Sequence, residues 1–280
     1  MSTALDLSAA AADLCRKRGF EFHGELGKGA FKSAYLAKNG PTPFALKLAA
    51  VTDSPERLIR EAMALQGCSH PAIATLFEAF PHAYGSMQLW VVCEEYLAGG
   101  TLEAKLTGGL PTLALIRSIA VTLAEVLDHL NAKKLVHRDI KPANIMFRAD
   151  GAPVLTDFGI VRMLDQPTLT QAFLNVGPGT PAYAAPEQLT NDKALIDWRT
   201  DQFDLAIVLA ECLLGHHPFV EAGKTIHDAI MRVAAKQEMP DANARRLEVL
   251  GFGCLTKALK PWPIARYRRP SEFIESLKQP

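Results

Sequence analysis

The stretch that decides the fold is His137-Arg138-Asp139-Ile140-Lys141-Pro142-Ala143-Asn144. Thirteen residues after Asn144 the chain carries Asp157-Phe158-Gly159, and further on it carries Ala185-Pro186-Glu187. Taken singly, each run has an ordinary explanation. A lone histidine such as His137 is typical of a packed core position, and Asp157-Phe158-Gly159 is typical of a turn after a strand. These separate explanations do not account for three such runs in this order and at this spacing.

Together the three runs resemble the catalytic loop, the metal-binding loop and the peptide platform of protein kinases. The resemblance covers residues 20–278, nearly the whole chain. Lys141, two residues after Asp139, and Gly179-Thr180-x-x-Tyr183 resemble the serine/threonine branch more than the tyrosine branch. The ending Arg266-Tyr267 resembles the eukaryotic-like kinases of bacteria. The resemblance implies an α+β, bilobal fold, with a small antiparallel β-sheet lobe that holds one main helix and a larger, mainly helical lobe.

Patterning along the chain gives the expected domain organisation. We expect an N-terminal helical extension at residues 1–19 and a kinase domain at 20–280, with a small lobe at 20–95, a hinge at 94–100 and a large lobe at 101–280. Short apolar runs and turn residues from residue 20 to 49 predict antiparallel strands. Ser54, followed by Pro55, predicts a helix start, and Ala98-Gly99-Gly100 predicts a flexible connection. A single helix is predicted at 245–259.

Composition limits the classes of partner. The chain has 30 basic and 30 acidic side chains, so its neutrality gives no support for nucleic acid as a partner. No run of about 18 apolar residues occurs, so no membrane span is expected. The five cysteines are dispersed, without a Cys-x-x-Cys pair, which favours a reducing, cytoplasmic setting. Nothing in the pattern indicates an oligomeric state.

The resemblance assigns the phosphoryl-transfer chemistry to four residues. Asp139 would orient the substrate hydroxyl and accept its proton, and Lys141 would approach the γ-phosphate of ATP. Asn144 and Asp157 would bind Mg²⁺. The acceptors implied are Ser or Thr hydroxyls of protein substrates, with autophosphorylation included.

The nucleotide site is implied by the first part of the chain. Lys47 resembles the lysine that contacts the α- and β-phosphates, and Glu61 is its candidate counter-charge. Gly27-Lys28-Gly29 resembles the start of the glycine-rich loop, but Lys32 stands where the third glycine is expected. The adenine would lie between Ala34 and Ala45 on one side and Met146 on the other.

The hinge leaves an ambiguity of one residue. Glu94-Glu95-Tyr96 contains one glutamate more than the family pattern, so either Cys93 or Glu94 stands at the gatekeeper position behind the adenine. An ionised acid in an apolar pocket is costly unless it is paired. Cys93 is therefore the preferred residue, and Glu95 is then a hinge contact for the adenine.

Further residues are expected to position the catalytic loop and the peptide platform. Glu187 resembles the acid that pairs with a distal arginine, for which Arg266 is the nearest match. Asp201 resembles the aspartate that holds the backbone of the catalytic loop, and Thr180 resembles the threonine that bonds to the catalytic aspartate and lysine. Thr168 and Thr170 are candidate phosphosites whose phosphate Arg138 would bind.

Two other functions remain open. A pseudokinase that binds nucleotide or a partner without catalysis is compatible with Lys32, Ala34 and the irregular hinge, although Lys47, Asp139, Asn144 and Asp157 are retained. A small-molecule kinase would share the catalytic loop, but the peptide platform from Asp157 to Glu187 disfavours it.

Overall fold

A computed structural model describes residues 7–28, 32–51, 68–158 and 181–279 of the chain. The fold is α+β, and the chain divides into two compact units between Ala98 and Gly99. The first unit contains an antiparallel sheet of order β1-β2-β3-β5-β4. Its described elements are α1 Ser8–Arg18, β1 Glu21–Lys28, β2 Lys32–Asn39, β3 Thr42–Ala50, β4 Leu76–Tyr84 and β5 Met87–Glu95. The predicted helix that starts at Ser54 lies outside the described residues.

Helix α1 packs on one face of this sheet. Along β2, every second residue is buried, as expected when one face of a strand is covered. Leu14 and Cys15 of α1 belong to the same hydrophobic cluster as Tyr35, Leu46 and other side chains of that sheet face. The predicted N-terminal extension is therefore integrated into the core of the first unit.

The second unit is mainly helical and is organised around one buried helix. Its described elements are α2 Leu102–Thr107, α3 Leu113–Ala132, β6 Ile145–Phe147, β7 Pro153–Leu155, α4 Pro186–Leu189, α5 Trp198–Leu214, α6 Ile226–Ala234, α7 Asp241–Val249, α8 Cys254–Ala258 and α9 Pro270–Lys278. Helix α5 is buried on nearly all sides, and α3, α7 and α8 pack against it. The single helix predicted at 245–259 is wrong: α7 and α8 are separate helices, and Gly251 between them has φ 75°, which L-residues rarely adopt.

The glycines of the hinge sequence serve close packing. Gly99 donates its N–H to the carbonyl of Phe147 at 2.8 Å, and Phe147 donates its N–H to the carbonyl of Gly100 at 2.9 Å. A Cβ at position 99 would lie 2.5 Å from the Arg148 carbonyl oxygen, so a side chain cannot be accommodated there without a shift. The flexible connection predicted from these glycines is thus a tight contact with β6.

No helix in the described part of the chain is a candidate membrane span. None of the helices there combines the length and the apolar character that crossing a bilayer requires.

Candidate active site

The backbone of the catalytic loop is fastened to helix α5. The carboxylate of Asp201, in the first turn of α5, accepts the N–H of His137 at 2.7 Å and the N–H of Arg138 at 2.8 Å. Arg138 has φ 64°, a conformation that costs a non-glycine residue about 1–3 kcal/mol. Its carbonyl also accepts from Gln188 Nε2 at 2.9 Å. The strained residue is therefore held from both sides.

His137 is a packed structural residue. Its ring is buried, Nδ1 accepts the N–H of Asp139 at 3.2 Å, and Nε2 lies 3.0 Å from the carbonyl oxygen of Thr156. Donation from Nε2 and acceptance at Nδ1 together require the neutral tautomer with its proton on Nε2. The ring of Phe158 packs edge-on against the imidazole at 4.7 Å between centroids. His137 thus joins the loop that carries Asp139 to the segment that carries Asp157.

The carboxylate of Asp139 lies at the centre of a polar cluster. Its Oδ2 receives Lys141 Nζ at 3.1 Å and Asn144 Nδ2 at 3.1 Å, and its backbone carbonyl also accepts from Asn144 Nδ2 at 2.8 Å. The side chains of Asp139 and Lys141 are 13% and 22% exposed. A carboxylate that is oriented by fixed donors and remains partly open to solvent can accept a hydrogen bond from an incoming hydroxyl.

Asn144 and Asp157 carry the hard oxygen donors that Mg²⁺ prefers. Because Nδ2 of Asn144 is committed to Asp139, the amide oxygen is the atom left for a cation. Asp157 follows after Thr156, whose N–H bonds to the Asn144 carbonyl at 3.0 Å, and it has the rare φ of 62°. Within the described ranges, no group of three or more His, Cys, Asp or Glu side chains is placed to hold a metal. Mg²⁺ needs only one or two carboxylates together with substrate phosphates, so an amide oxygen and one carboxylate are sufficient.

Glu187 and Arg266 form a buried, bidentate ion pair. Arg266 Nη1 lies 2.7 Å from Glu187 Oε1, and Nη2 lies 2.9 Å from Oε2. The two side chains are 1% or less exposed. Arg266 also donates to the carbonyls of Lys260 and Pro261, and Thr200 Oγ1 donates to Glu187 at 2.9 Å. This saturation of donors and acceptors is what a buried ion pair requires.

The sequence analysis missed two side chains that hold the backbone of Ala185, those of Gln188 and Asp204. The N–H of Ala185 is shared between Gln188 Oε1 at 2.8 Å and Asp204 Oδ1 at 3.0 Å. Gln188 stands three residues after Ala185, a spacing at which Gln or Glu often caps the start of a helix. That spacing was the available signal for Gln188. For Asp204, which lies within α5, the sequence offered none.

His217 is a third missed residue. It follows α5, its Nε2 lies 2.7 Å from the carbonyl of Ala182, and its Nδ1 accepts the N–H of Phe219 at 3.3 Å. Burial lowers the pKa of His217 to about 4, so the ring stays neutral at physiological pH. It fastens the segment before Ala185-Pro186-Glu187 to the body of the second unit.

In the first unit, the strand register defines the face on which Lys47 lies. Ala34 of β2 pairs with Lys47 of β3, and Ala45 of β3 pairs with Glu94 of β5. Directly paired residues share a face, and so do residues two apart on one strand. The register therefore brings Ala34, Ala45, Lys47 and Glu94 together on one face of the sheet, opposite the face covered by α1.

The same register separates Cys93 from Lys47. Cys93 belongs to the hydrophobic cluster beneath α1, and burial raises the pKa of its thiol to about 12. Glu94, one residue later, points to the other face, where it forms an ion pair with Lys47. The register thus places Glu94, and not Cys93, on the face of Lys47, which favours Glu94 for the gatekeeper position; that assignment stays a prediction. The premise that an acid must be paired was sound, but Lys47 supplies the pair.

The remaining nucleotide candidates lie on separate elements. Gly27 and Lys28 end β1 and pair with Ala34 and Ser33. Glu95 ends β5, where its N–H donates to the carbonyl of Thr75 at 2.9 Å. In the second unit, Met146 lies on β6, paired with Val154. Five other candidates lie outside the described residues: Gly29, Glu61, Thr168, Thr170 and Thr180.

Comparison with known proteins defines the class. The model of the protein kinase domain family matches residues 20–269, so the chain belongs to the protein kinase family. It is 31% identical to serine/threonine-protein kinase PknF of Mycobacterium tuberculosis over 278 residues, which cover 92% of this chain and 56% of that protein. It is 30% identical to PknJ of Mycobacterium bovis, covering 92% and 44%, and 30% identical to PknB of Mycobacterium leprae, covering 79% and 35%. The chain thus spans about half, or less, of the length of these relatives.

Proposed function

We propose that this chain is a serine/threonine protein kinase, which uses ATP and Mg²⁺ to phosphorylate hydroxyl groups of proteins, including its own. The observation that carries the proposal is the cluster around Asp139. One carboxylate there is oriented by Lys141 and Asn144, on a loop whose backbone is fixed by Asp201. The names of the relatives, all serine/threonine-protein kinases, support the same acceptor class.

Asp139 and Lys141 supply the groups for in-line transfer. Asp139 accepts a hydrogen bond from the substrate hydroxyl, orients its oxygen towards the γ-phosphorus of ATP and takes the proton as the O–P bond forms and ADP leaves. Lys141, 3.1 Å from the same carboxylate, offsets negative charge on the phosphoryl group as it migrates. Because both groups are held before the substrate arrives, no reorganisation is needed at the moment of transfer.

Asn144 and Asp157 are the residues that would hold Mg²⁺. When bound, the ion offsets the charge of the triphosphate. The contribution of this chain is to present hard oxygen donors next to Asp139. The fixed amide of Asn144 and the strained backbone of Asp157 support that role.

Lys47 would contact the α- and β-phosphates, with Glu61 as a candidate counter-charge. Gly27, Lys28 and Gly29 would approach the phosphates through their backbone. Ala34, Ala45 and Met146 would line the adenine pocket, with Glu95 in the hinge. The shared face of Ala34, Ala45 and Lys47 supports this assignment.

Regulation would act on the segment between Asp157 and Glu187. Thr168 and Thr170 are the proposed phosphosites, Arg138 the proposed partner of their phosphate, and Thr180 a positioning residue next to Asp139. Phosphate opposite an arginine can order such a segment. The Glu187–Arg266 pair braces the platform that would carry the peptide.

The proposed setting is the cytoplasm, with protein substrates and without nucleic acid. All five cysteines are free thiols, which suits a reducing compartment.

Incubation of the chain with ATP and Mg²⁺, followed by phosphosite mapping, tests the proposal. We expect phosphate on Ser and Thr, including the region of Thr168 and Thr170, and none with Asp139→Asn. Phosphosites wholly outside residues 157–187 would remove the support for the regulatory part. Nucleotide binding without any transfer would favour the pseudokinase, and transfer only to a small alcohol would favour a small-molecule kinase.

A further inference from the structure

Glu94 is a buried ionisable residue on strand β5. The residue is 8% exposed, and its side chain pairs with Lys47. A carboxylate this deeply buried is costly without a partner. Its partner is the lysine to which the proposed function gives the phosphates of ATP.

The pair is fixed by the backbone of the sheet. Lys47 pairs in register with Val92, and Glu94 lies two residues further along β5, on the same face. Residues in this diagonal relation lie about 7–8 Å apart at their Cα atoms, within reach of two long side chains. Because β3 and β5 are joined by a continuous antiparallel ladder, the distance between the two side-chain origins cannot change without breaking the sheet.

The surroundings of the pair favour a fixed geometry. The side chains of Lys47 and Glu94 are only 14% and 10% exposed. Trp90 and Val92, which precede Glu94 on the same strand, form a small hydrophobic cluster with Leu76 and Ala79 of β4. An ion pair in such surroundings is screened far less by solvent than a surface pair.

We propose that Glu94 is a positioning residue for Lys47, a carboxylate on the strand itself that holds the ammonium group where it meets the phosphates of ATP. The inference rests on the proposed function and deepens it. In this chain a counter-charge of Lys47 is built into the sheet itself. Glu94 acts through Lys47 and takes no part in proton or phosphoryl transfer itself.

Steady-state kinetics of phosphate transfer test this role in the full chain. We expect Glu94→Gln to raise the KM for ATP and to lower kcat/KM by about tenfold or more. The variant loses the negative charge that faces the Lys47 ammonium, and an interaction between charged groups in a buried site is commonly worth a factor of about ten or more. The KM for the protein acceptor should stay unchanged, which a general loss of structure would not allow.

The matched control is Glu78→Gln on the neighbouring strand β4. Glu78 is a glutamate with a half-exposed side chain paired with Arg18, so the variant makes the same chemical change away from Lys47. Its kcat/KM should remain within about twofold of the wild type. If Glu94→Gln fails to fold, the same kinetics are measured on Glu94→Met, because an apolar side chain of similar length suits a buried site.

Two outcomes would overturn the inference while leaving the proposed function intact. One is an active wild type whose kcat/KM for ATP is unchanged in Glu94→Gln and Glu94→Met. The other is a rise in kcat/KM in these variants, which would mean that the carboxylate restrains Lys47 instead of positioning it. A wild type that transfers no phosphate would instead overturn the proposed function, and this inference with it.

Discussion

The ion pairs Glu187–Arg266 and Lys47–Glu94 differ in how they are held. Glu187 and Arg266 lie 79 positions apart, are closed to solvent, and make further hydrogen bonds with Thr200 and three carbonyl groups. Lys47 and Glu94 lie on adjacent strands and remain slightly open. The first pair is saturated and braces the fold, whereas the second joins two neighbouring strands of one sheet. Burial and saturation thus distinguish a pair that braces the fold from the pair that we propose positions Lys47.

Removal of one partner from the closed pair should have the largest effect on stability. Arg266→Met leaves the Glu187 carboxylate buried without its counter-charge, which should lower the free energy of unfolding by about 3–5 kcal/mol. Chemical denaturation measures this change. The double variant Glu187→Met with Arg266→Met should recover part of the loss, because no buried charge is then left.

Arg269→Met is the matched control for that experiment. Arg269 pairs with Glu272 at the surface, where the two side chains are 76% and 36% exposed. Removal of the Arg269 guanidinium should therefore lower the free energy of unfolding by less than about 1 kcal/mol. Equal losses in Arg266→Met and Arg269→Met would contradict the distinction between closed and open pairs.

Acidification should weaken the second unit through His217. Its pKa is lowered by burial from 6.5 to about 4, so between these pH values the unfolded chain takes up a proton that the folded ring does not. The free energy of unfolding should therefore fall by about 3 kcal/mol as the pH drops from 6.5 to 4. The difference in pH dependence between the wild type and His217→Gln isolates this contribution from that of the acids. Parallel pH profiles of the two proteins would refute it.

Loss of the carboxylate that anchors the catalytic loop should have a moderate effect. Asp201→Asn should lower the free energy of unfolding by about 2 kcal/mol, because an amide can accept from only one of the two N–H groups that the carboxylate now receives. Burial raises the pKa of Asp201 to about 7, so the comparison belongs at pH 8, where the carboxylate is ionised. Transfer activity should fall as well, since Arg138 loses a constraint next to Asp139. Asp241→Asn, an exposed acid in the first turn of α7, is the control and should leave activity unchanged. A fully active Asp201→Asn enzyme would show that the loop does not need this anchor.

The smallest effect is expected at the contact between α1 and the sheet edge. Arg18 lies 3.3 Å from Glu78 and over the ring of Phe80 at 4.3 Å, but it is exposed. Arg18→Ala should lower the free energy of unfolding by about 1 kcal/mol or less, as measured by denaturation. A loss several times larger would mean that α1 is held by this contact and not by its buried face.

Long-range relations within motifs were predictable from the sequence. The proximity of Glu187 to Arg266, and of Asp201 to the catalytic loop, follows from residues that resemble a family pattern at recognisable spacings. The strands between residues 20 and 49 followed from short apolar runs that alternate with turn residues. These features depend on patterns that extend over many residues.

Relations decided by a single residue or a single contact were not predictable. Cys93 and Glu94 are neighbours, and which of them faces Lys47 depends on strand register, which a shift of one residue reverses. The hinge glycines looked like a flexible connection because no sequence pattern reveals that the Arg148 carbonyl would meet a Cβ at Gly99. His217 and Asp204 act on backbone groups, whose positions only the folded chain defines.

The most direct test of the account compares the wild type with Asp139→Asn in a single-turnover transfer of phosphate from ATP, with ATP affinity measured in parallel. The variant keeps the size of the side chain but loses the proton acceptor that Lys141 and Asn144 orient. We predict near-unchanged affinity for ATP and a transfer rate lower by about 10² to 10⁴. Equal phosphate incorporation by the two proteins would contradict the central claim that the Asp139 cluster is the catalytic centre.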